Sequence, residues 1–411
     1  MRVLVVGSGG REHALAWKLA QSPFLTELHA APGNPGIARI ADCHPVLPDD
    51  EEGMLGLARS LGADLVVVGP EAPLVEGLAD VLRRFGIPVF GPGRQAARIE
   101  GSKSFAKEVM TAAGVPTAAR LPVARPPCVV KADGLAAGKG VHVCRTPADV
   151  DAALRAVASL GGDVVVEELL DGPEVSLFAL CDGRVAVPLV PAQDFKRAYD
   201  GDEGPNTGGM GSYAPVPDLD PAACQALADA VHRPVLAELE RRGTPFVGLL
   251  FAGLMLTREG PRVLEFNCRF GDPETQSVLP LLEGDLLVAL AAAATGELAG
   301  VELGASAGAG VTVVLAAGDY PAGGDRGSPI SGVAECEAAG ALVFHAGTAM
   351  HGGRLVTNGG RILGVTGLGP TIAEARASAY EGVERIEWEG IRFRSDVALA
   401  AAAGAARIPS M

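Results

Sequence analysis

Glu265, Asn267 and Arg269 alternate along the apolar run Val263-Leu-Glu-Phe-Asn-Cys-Arg-Phe270, and a turn with two more acids, Gly271-Asp-Pro-Glu274, follows directly. In a strand, residues two apart share a face and lie about 6.6 Å apart. A carboxylate, an amide and a guanidinium would then point the same way. Two oxygen ligands beside a fixed cation suit a metal that itself holds phosphates, because magnesium takes only one or two oxygens from protein and completes its octahedron with phosphate and water. A strand that merely wets its polar face shows the same alternation but rarely ends in Gly-Asp-Pro-Glu.

Four further segments are built to meet anions. In Val3-Leu-Val-Val-Gly-Ser-Gly-Gly-Arg-Glu-His13 the glycines stand at an expected strand-to-helix turn. There backbone amides and the positive helix end can approach a phosphate. The spacing departs from Gly-x-Gly-x-x-Gly, and the acid expected about 20 residues on for a ribose is missing, so a small phosphorylated substrate fits better than a dinucleotide. Lys131-Ala-Asp-Gly-Leu-Ala-Ala-Gly-Lys-Gly140 has apolar runs on both sides and reads as a β-hairpin. Its Gly134, Gly138 and Gly140 can lay amides over a triphosphate while Lys131 and Lys139 add charge. It is not a Walker motif, since neither the spacing nor the Ser/Thr after Lys matches. Val164-Val-Val-Glu-Glu-Leu-Leu-Asp-Gly-Pro-Glu174 offers hydrogen-bond acceptors for an adenine edge and ribose hydroxyls. Gln193-Asp-Phe-Lys-Arg197, followed by Gly204-Pro-Asn-Thr-Gly-Gly-Met-Gly211, gathers an acid, two cations and free amides. That mixture suits a small zwitterion or an acyl phosphate. Only six lysines occur, at 18, 103, 107, 131, 139 and 196, in a chain that otherwise uses Arg. Lys is favoured where a compact, flexible charge is needed.

The elements that must carry these groups change in texture along the chain. Residues 1–100 alternate apolar β runs (3–7, 28–32, 64–69, 87–91) with helical segments (12–21, 50–60, 74–85), the pattern of a doubly wound parallel sheet. One helix is expected over 94–113, ending at Gly114. From 122 to 187 the pattern is a small, mainly antiparallel α+β unit. Residues 198–211 read as a long loop, and a loop of that length in a compact protein is usually functional. A helix over 222–241, strands over 247–256 and 262–270 and a helix over 276–294 follow. Short strands from about 308 and a helix over 373–386 make a last α+β unit. The 411 residues, 48% of them hydrophobic, are enough for several cores. A net charge of −15 speaks against a nucleic-acid partner. Seven scattered cysteines without a Cys-x-x-Cys pair point to a reducing, cytoplasmic setting and against structural zinc. No apolar run is long enough for a membrane helix, and no secretory signal is visible.

Taken together, these segments closely resemble the ATP-grasp ligases, and within them the phosphoribosylamine–glycine ligase family of purine biosynthesis. The resemblance is carried, in order, by Gly7-Ser-Gly-Gly-Arg-Glu-His-Ala14, Gly69-Pro-Glu-Ala-Pro-Leu74, the 131–140 and 204–211 glycine segments, Glu265-Phe-Asn-Cys-Arg-Phe-Gly-Asp-Pro-Glu-Thr275, Phe344-His-Ala-Gly-Thr348 and Thr357-Asn-Gly-Gly360. It implies four parts: an N-terminal α/β substrate-binding domain (1–100), an ATP-grasp core (101–121 and 188–300), a lid (122–187) and a C-terminal α+β domain (301–411). It further implies a monomer that joins glycine to 5-phosphoribosylamine with ATP and Mg2+ or Mn2+. Lys103 and Lys131 would contact the phosphates under the loop from Gly134 through Gly138 and Lys139 to Gly140. Glu167 and Leu170 would meet the adenine and Glu174 the ribose. Glu265 and Asn267 would hold the metal, and Arg269 would steady the acyl phosphate. Gly9, Gly10, Arg11, Glu12, Glu71, Gly208, Gly209, Met210 and Asp272, with Asp194 and Lys196, would receive glycine and phosphoribosylamine. Two departures stand out. The segment between Pro116 and Lys131 is short for the family, and Phe251-Ala-Gly-Leu-Met255 supplies no second metal carboxylate. Other readings are a different carboxylate–amine ligase, a biotin-carboxylase-like enzyme, a non-catalytic nucleotide-binding regulator and a dehydrogenase.

Overall fold

The computed structural model describes residues 1–136, 140–406 and 408. Five parallel strands, Arg2–Gly7, Glu27–Pro32, Asp42–Cys43, Leu65–Val68 and Val89–Phe90, form the N-terminal sheet in the order third, second, first, fourth, fifth. Val3 to Val6 are completely buried, as befits a central strand with helices over both faces. The first strand ends at Gly7 (φ 123°), where a Cβ would stand 2.7 Å from the Glu12 side chain. A residue other than glycine would thus displace the acid that closes the turn into helix Gly10–Leu19. The first and fourth strands are neighbours, with Val6 opposite Val68. Their carboxyl ends, Gly7-Ser-Gly-Gly10 and Gly69-Pro-Glu71, therefore share one edge, at the point where strand order reverses. That is where open α/β sheets bind ligands.

Three expected helices are broken. The 74–85 segment divides at Gly77 (φ 101°) into Glu71–Glu76 and Leu78–Arg84. The 94–113 segment divides at Ser102, whose extended backbone ends Arg94–Gly101 while its Oγ accepts from Phe105 N at 3.1 Å to begin Lys103–Ala113. The 276–294 segment becomes Glu274–Val278, a 3-10 turn Leu279–Leu281 and Leu286–Thr295. Pro280 has no N–H to continue the ladder, and Gly284 takes a positive φ of 96°. Apolar periodicity runs through all three breaks and conceals them.

The lid is a three-stranded antiparallel sheet, Val141–Cys144, Cys128–Ala132 and Val164–Glu168, with helix Pro147–Leu160 packed on it. Strand Glu174–Asp182 lies within the range expected for the lid, and Ala186–Pro188 runs across its end, but both are hydrogen-bonded into the core sheet, beside Val247–Thr257 and Gly260–Asn267. Val175 to Cys181 are buried without a break, so this strand needs cover on both faces, which the small lid sheet cannot give. The expected loop over 198–211 is largely a hairpin, Arg197–Tyr199 with Glu203–Asn206. Gln193–Asp194 and Gly211–Ala214 extend the C-terminal sheet, whose other strands are Ala309–Ala316, Arg361–Gly369 and Leu342–His345. Two strands from the expected core range thus belong to the C-terminal layer, and this exchange draws the glycine segment 204–211 toward the edge of the N-terminal sheet.

Candidate active site

The lid hairpin and strand Gly260–Asn267 face one another and touch. Lys131 Nζ donates to Leu264 O at 2.9 Å, and Lys103 Nζ, from the helix below, donates to Gly134 O at 3.1 Å. Glu265 stands in the resulting crevice, with Lys196 Nζ at 3.9 Å. Burial alone would raise its pKa, but Lys196, Lys131, Lys103 and Arg269 together hold it below the ordinary carboxylate range. A charged carboxylate next to the Asn267 amide oxygen fits a divalent cation that keeps phosphate and water in its remaining positions. Among the described residues no group of three or more His, Cys, Asp and Glu forms a metal cage.

Arg269 departs from the simple alternation. The strand ends at Asn267, and Arg269 lies beyond it, anchored on three sides. Its Nε meets Glu71 Oε2 at 3.2 Å, its Nη2 meets Glu100 Oε1 at 3.1 Å, and its Nη1 donates to Phe270 O at 3.2 Å. A longer 3.4 Å contact runs from Nη2 to Asn267 Oδ1. The surrounding acids hold its pKa above the usual guanidinium value despite burial. Glu100 went unnoticed in the sequence because it sits alone in a helical pattern. It is buried, also accepts from Cys268 N at 2.7 Å, and has its pKa raised by burial.

Glu167 has a different setting from the one expected. Its carboxylate is bracketed by Lys107 Nζ at 2.9 Å and Lys131 Nζ at 2.7 Å, and its backbone is paired to Val129 and Arg120. Its carboxylate therefore lies between the two lysines, and the half-buried Leu170 stands just past the strand end. Glu174 pairs with Lys196. Gly253 lies beneath Glu174 and Glu265, since a Cβ there would be 3.4 Å from Glu265 Cγ and 3.8 Å from Glu174 Oε1. Burial raises the pKa of Asp194 well above the usual value, with Glu274, Glu174 and Glu265 adding to it and Lys196 opposing. Lys196, among those acids, is likewise raised despite its burial. In the lid, Gly140 O accepts from Ala132 N at 2.8 Å and closes the hairpin. Gly138 and Lys139 lie outside the described residues.

Gly9, Gly10, Arg11, Glu12, Glu71 and Asp272, among the expected substrate residues, meet at the edge of the N-terminal sheet. Gly9 N donates to Glu12 Oε2 at 2.6 Å, and Arg11 Nε to Glu12 Oε1 at 2.6 Å. Arg11 also lies 3.9 Å from Glu71, whose pKa is pulled down to about 2 against the effect of burial, by Arg269 first and then Arg11. Gly10 packs on Gln276, with no room for a methyl group. Asp272 faces Gly9, where a Cβ would be 3.7 Å from its Oδ2. Gly208 and Gly209 lie against the Asp272-Pro273 turn. Met210 does not line the site: its side chain is fully buried, and both its backbone groups are bonded, to Phe195 O and from Val314 N. Arg361 and Tyr320, from the C-terminal domain, join the turn to the glycine segment. Arg361 directly follows the Thr357-Asn-Gly-Gly360 motif, the one signal that pointed toward it.

Three family models match consecutive stretches of the chain: the phosphoribosylglycinamide synthetase N domain over residues 1–100, its ATP-grasp (A) domain over 101–275 and its C domain over 310–400. A phosphoribosylamine–glycine ligase from Streptomyces coelicolor is 55% identical, over 98% of this chain and 100% of its own. The crystal structure of the phosphoribosylamine–glycine ligase from Thermotoga maritima superposes with a TM-score of 0.83 at 35% identity, covering 96% of this chain and 100% of that one. The biotin carboxylase domain of the Hydrogenobacter thermophilus 2-oxoglutarate carboxylase shares the fold, with a TM-score of 0.69 at 19% identity over 95% of this chain and 91% of its own. With all three domains matched in order, the chain belongs to the phosphoribosylglycinamide synthetase family.

Proposed function

We propose that the crevice between the lid hairpin and strand Gly260–Asn267 joins glycine to 5-phosphoribosylamine at the expense of ATP, releasing glycinamide ribonucleotide, ADP and phosphate. The observation that supports this assignment of roles is the contact of Lys131 Nζ with Leu264 O, which joins the lid hairpin to the strand that carries Glu265 and Asn267. Lys103 and Lys131 would neutralise the phosphate tail, Leu170 would meet the adenine, and Glu174 the ribose hydroxyls. Glu265 and Asn267 would hold magnesium or manganese, which when bound spreads the charge of the β- and γ-phosphates. We read the protein as a monomer of a reducing cytoplasm, and the seven free cysteines suit that setting.

The first obstacle is electrostatic, because a carboxylate must approach a polyanion. A glycine carboxylate oxygen bonds to the γ-phosphorus and ADP leaves. The amine of phosphoribosylamine then attacks the acyl carbon of glycyl phosphate, loses a proton and expels inorganic phosphate. Fixed cations in a site shielded from water lower both barriers at no cost in reorganisation. Arg269 is pre-oriented by Glu71 and Glu100, so it can meet the charge that develops on the acyl phosphate. Lid closure would keep water from that intermediate. The test is phosphate release with ATP and a divalent metal, each substrate omitted in turn. Release should require both glycine and phosphoribosylamine. Release driven by bicarbonate in place of glycine would reject the assignment.

A further inference from the structure

Asp272 has both carboxylate oxygens engaged: Oδ1 accepts from Gln276 Nε2 at 2.8 Å and Oδ2 from Arg361 Nη2 at 3.0 Å. The same guanidinium donates through Nη1 to two backbone carbonyls, Gly208 O and Asp272 O, both at 2.7 Å. One side chain from the C-terminal sheet thus clamps the glycine segment onto the turn that follows the metal strand. Tyr320, also from the C-terminal domain, completes the clamp by accepting from Gly208 N at 2.9 Å. The guanidinium is about one-fifth exposed, and the Asp272 carboxylate it holds faces the Gly9 turn. Neither Gly208 nor Gly209 has a side chain with which to fix its own position, and Gly209 takes a left-handed φ of 111° close against Pro273. Their placement depends on what holds their backbone.

Resting on the reading that the Gly9 edge receives phosphoribosylamine, we propose that Arg361 is a positioning residue for that substrate. It sets the distance between the Gly208-Gly209 segment and the Asp272 turn, and so the width of the phosphoribosylamine half of the crevice. On this reading ATP and glycine are taken by groups around Lys131, Glu174, Lys196 and Glu265, and Arg361 makes no hydrogen bond or ion pair with any of these four. A Lys at 361 keeps the charge but loses the planar fork that reaches two carbonyls and a carboxylate at once.

The test measures all three substrate KM values and kcat for Arg361→Ala, Arg361→Lys and Tyr320→Phe, with thermal midpoints. Arg361→Ala should raise KM for phosphoribosylamine at least tenfold and leave the values for ATP and glycine within about twofold. Arg361→Lys should be rescued only in part, and Tyr320→Phe, which removes the acceptor for Gly208 alone, should raise the same KM about threefold. An unchanged phosphoribosylamine KM, or equal rises for all three substrates, overturns the proposal. If Arg361→Ala fails to fold, the milder Tyr320→Phe decides by the same criterion. The underlying functional reading fails separately, when wild-type phosphate release does not need phosphoribosylamine at all.

Discussion

Arg269 and Glu265 represent two kinds of electrostatic work at the scale of single residues. Arg269 is already held by two carboxylates, so truncation removes a pre-aligned donor and costs the kind of barrier seen for oxyanion donors, about 2.7–4 kcal/mol. Arg269→Ala should lower kcat by roughly 10²–10³-fold, as measured by steady-state phosphate release. Glu265→Gln keeps the volume but removes the charge that four cations hold in place. Loss of ATP turnover with an unchanged thermal midpoint is the expected result. Near-normal turnover would remove Glu265 from the metal site. Glu100 could not be found by pattern, yet it fixes both Arg269 Nη2 and the amide of Cys268. Its partner is 169 positions away in the chain, and no local rule links the two.

At the scale of elements, the lid is latched to the core through a helix end. Asp133, in the hairpin turn, accepts through Oδ1 from Lys103 N at 2.6 Å and Ser104 N at 3.4 Å, two of the unpaired amides that begin helix Lys103–Ala113. The same contact fixes the base of the Lys103 side chain, which reaches back to Gly134 O. Asp133→Ala should cost about 1 kcal/mol of stability, the usual worth of a helix cap, and raise KM for ATP several-fold. Denaturant unfolding and substrate titration check the two halves. Although burial opposes it, hydrogen bonds from Ser104 and Lys103 lower the Asp133 pKa. Its contribution is therefore present at neutral pH and is lost as pH falls through the acidic range.

Across the whole molecule, the N- and C-terminal domains meet through buried polar groups. His345 N donates to His13 Nδ1 at 2.8 Å, and Asn34 Nδ2 donates to Ser8 O and His345 O, both at 2.8 Å. Burial holds His13 neutral to about pH 3 and His345 to about pH 4, against 6.5 for an ordinary histidine. The unfolded chain binds the extra protons, so stability is full above about pH 6.5 and falls as pH drops toward 4. Each histidine should cost about 2 kcal/mol at pH 5 relative to pH 8. Denaturant midpoints at the two pH values measure the loss. His345→Asn should flatten the dependence, and an unchanged slope would show that His345 is not buried neutral.

The sequence by itself determined the parts that rest on short-range rules. The glycine turns, the lid hairpin, the parallel N-terminal sheet and the Glu265/Asn267 pair all follow from periods of two or 3.6 residues and from backbone freedom at glycine. Local patterning also hid what it could not resolve, such as the helix breaks at Gly77 and Ser102, where apolar spacing carries on across a change of direction. Only the tertiary structure decided which sheet strand Glu174–Asp182 joins, that Glu167 pairs with Lys107 and Lys131, that Glu100 meets Arg269, and that Tyr320 and Arg361 hold the Gly208 backbone. The physical reason is the same in each case. A buried charge or an unpaired strand edge must be satisfied by something, and its partner is chosen by proximity in the folded chain, on which the spacing of residues along the sequence places no constraint.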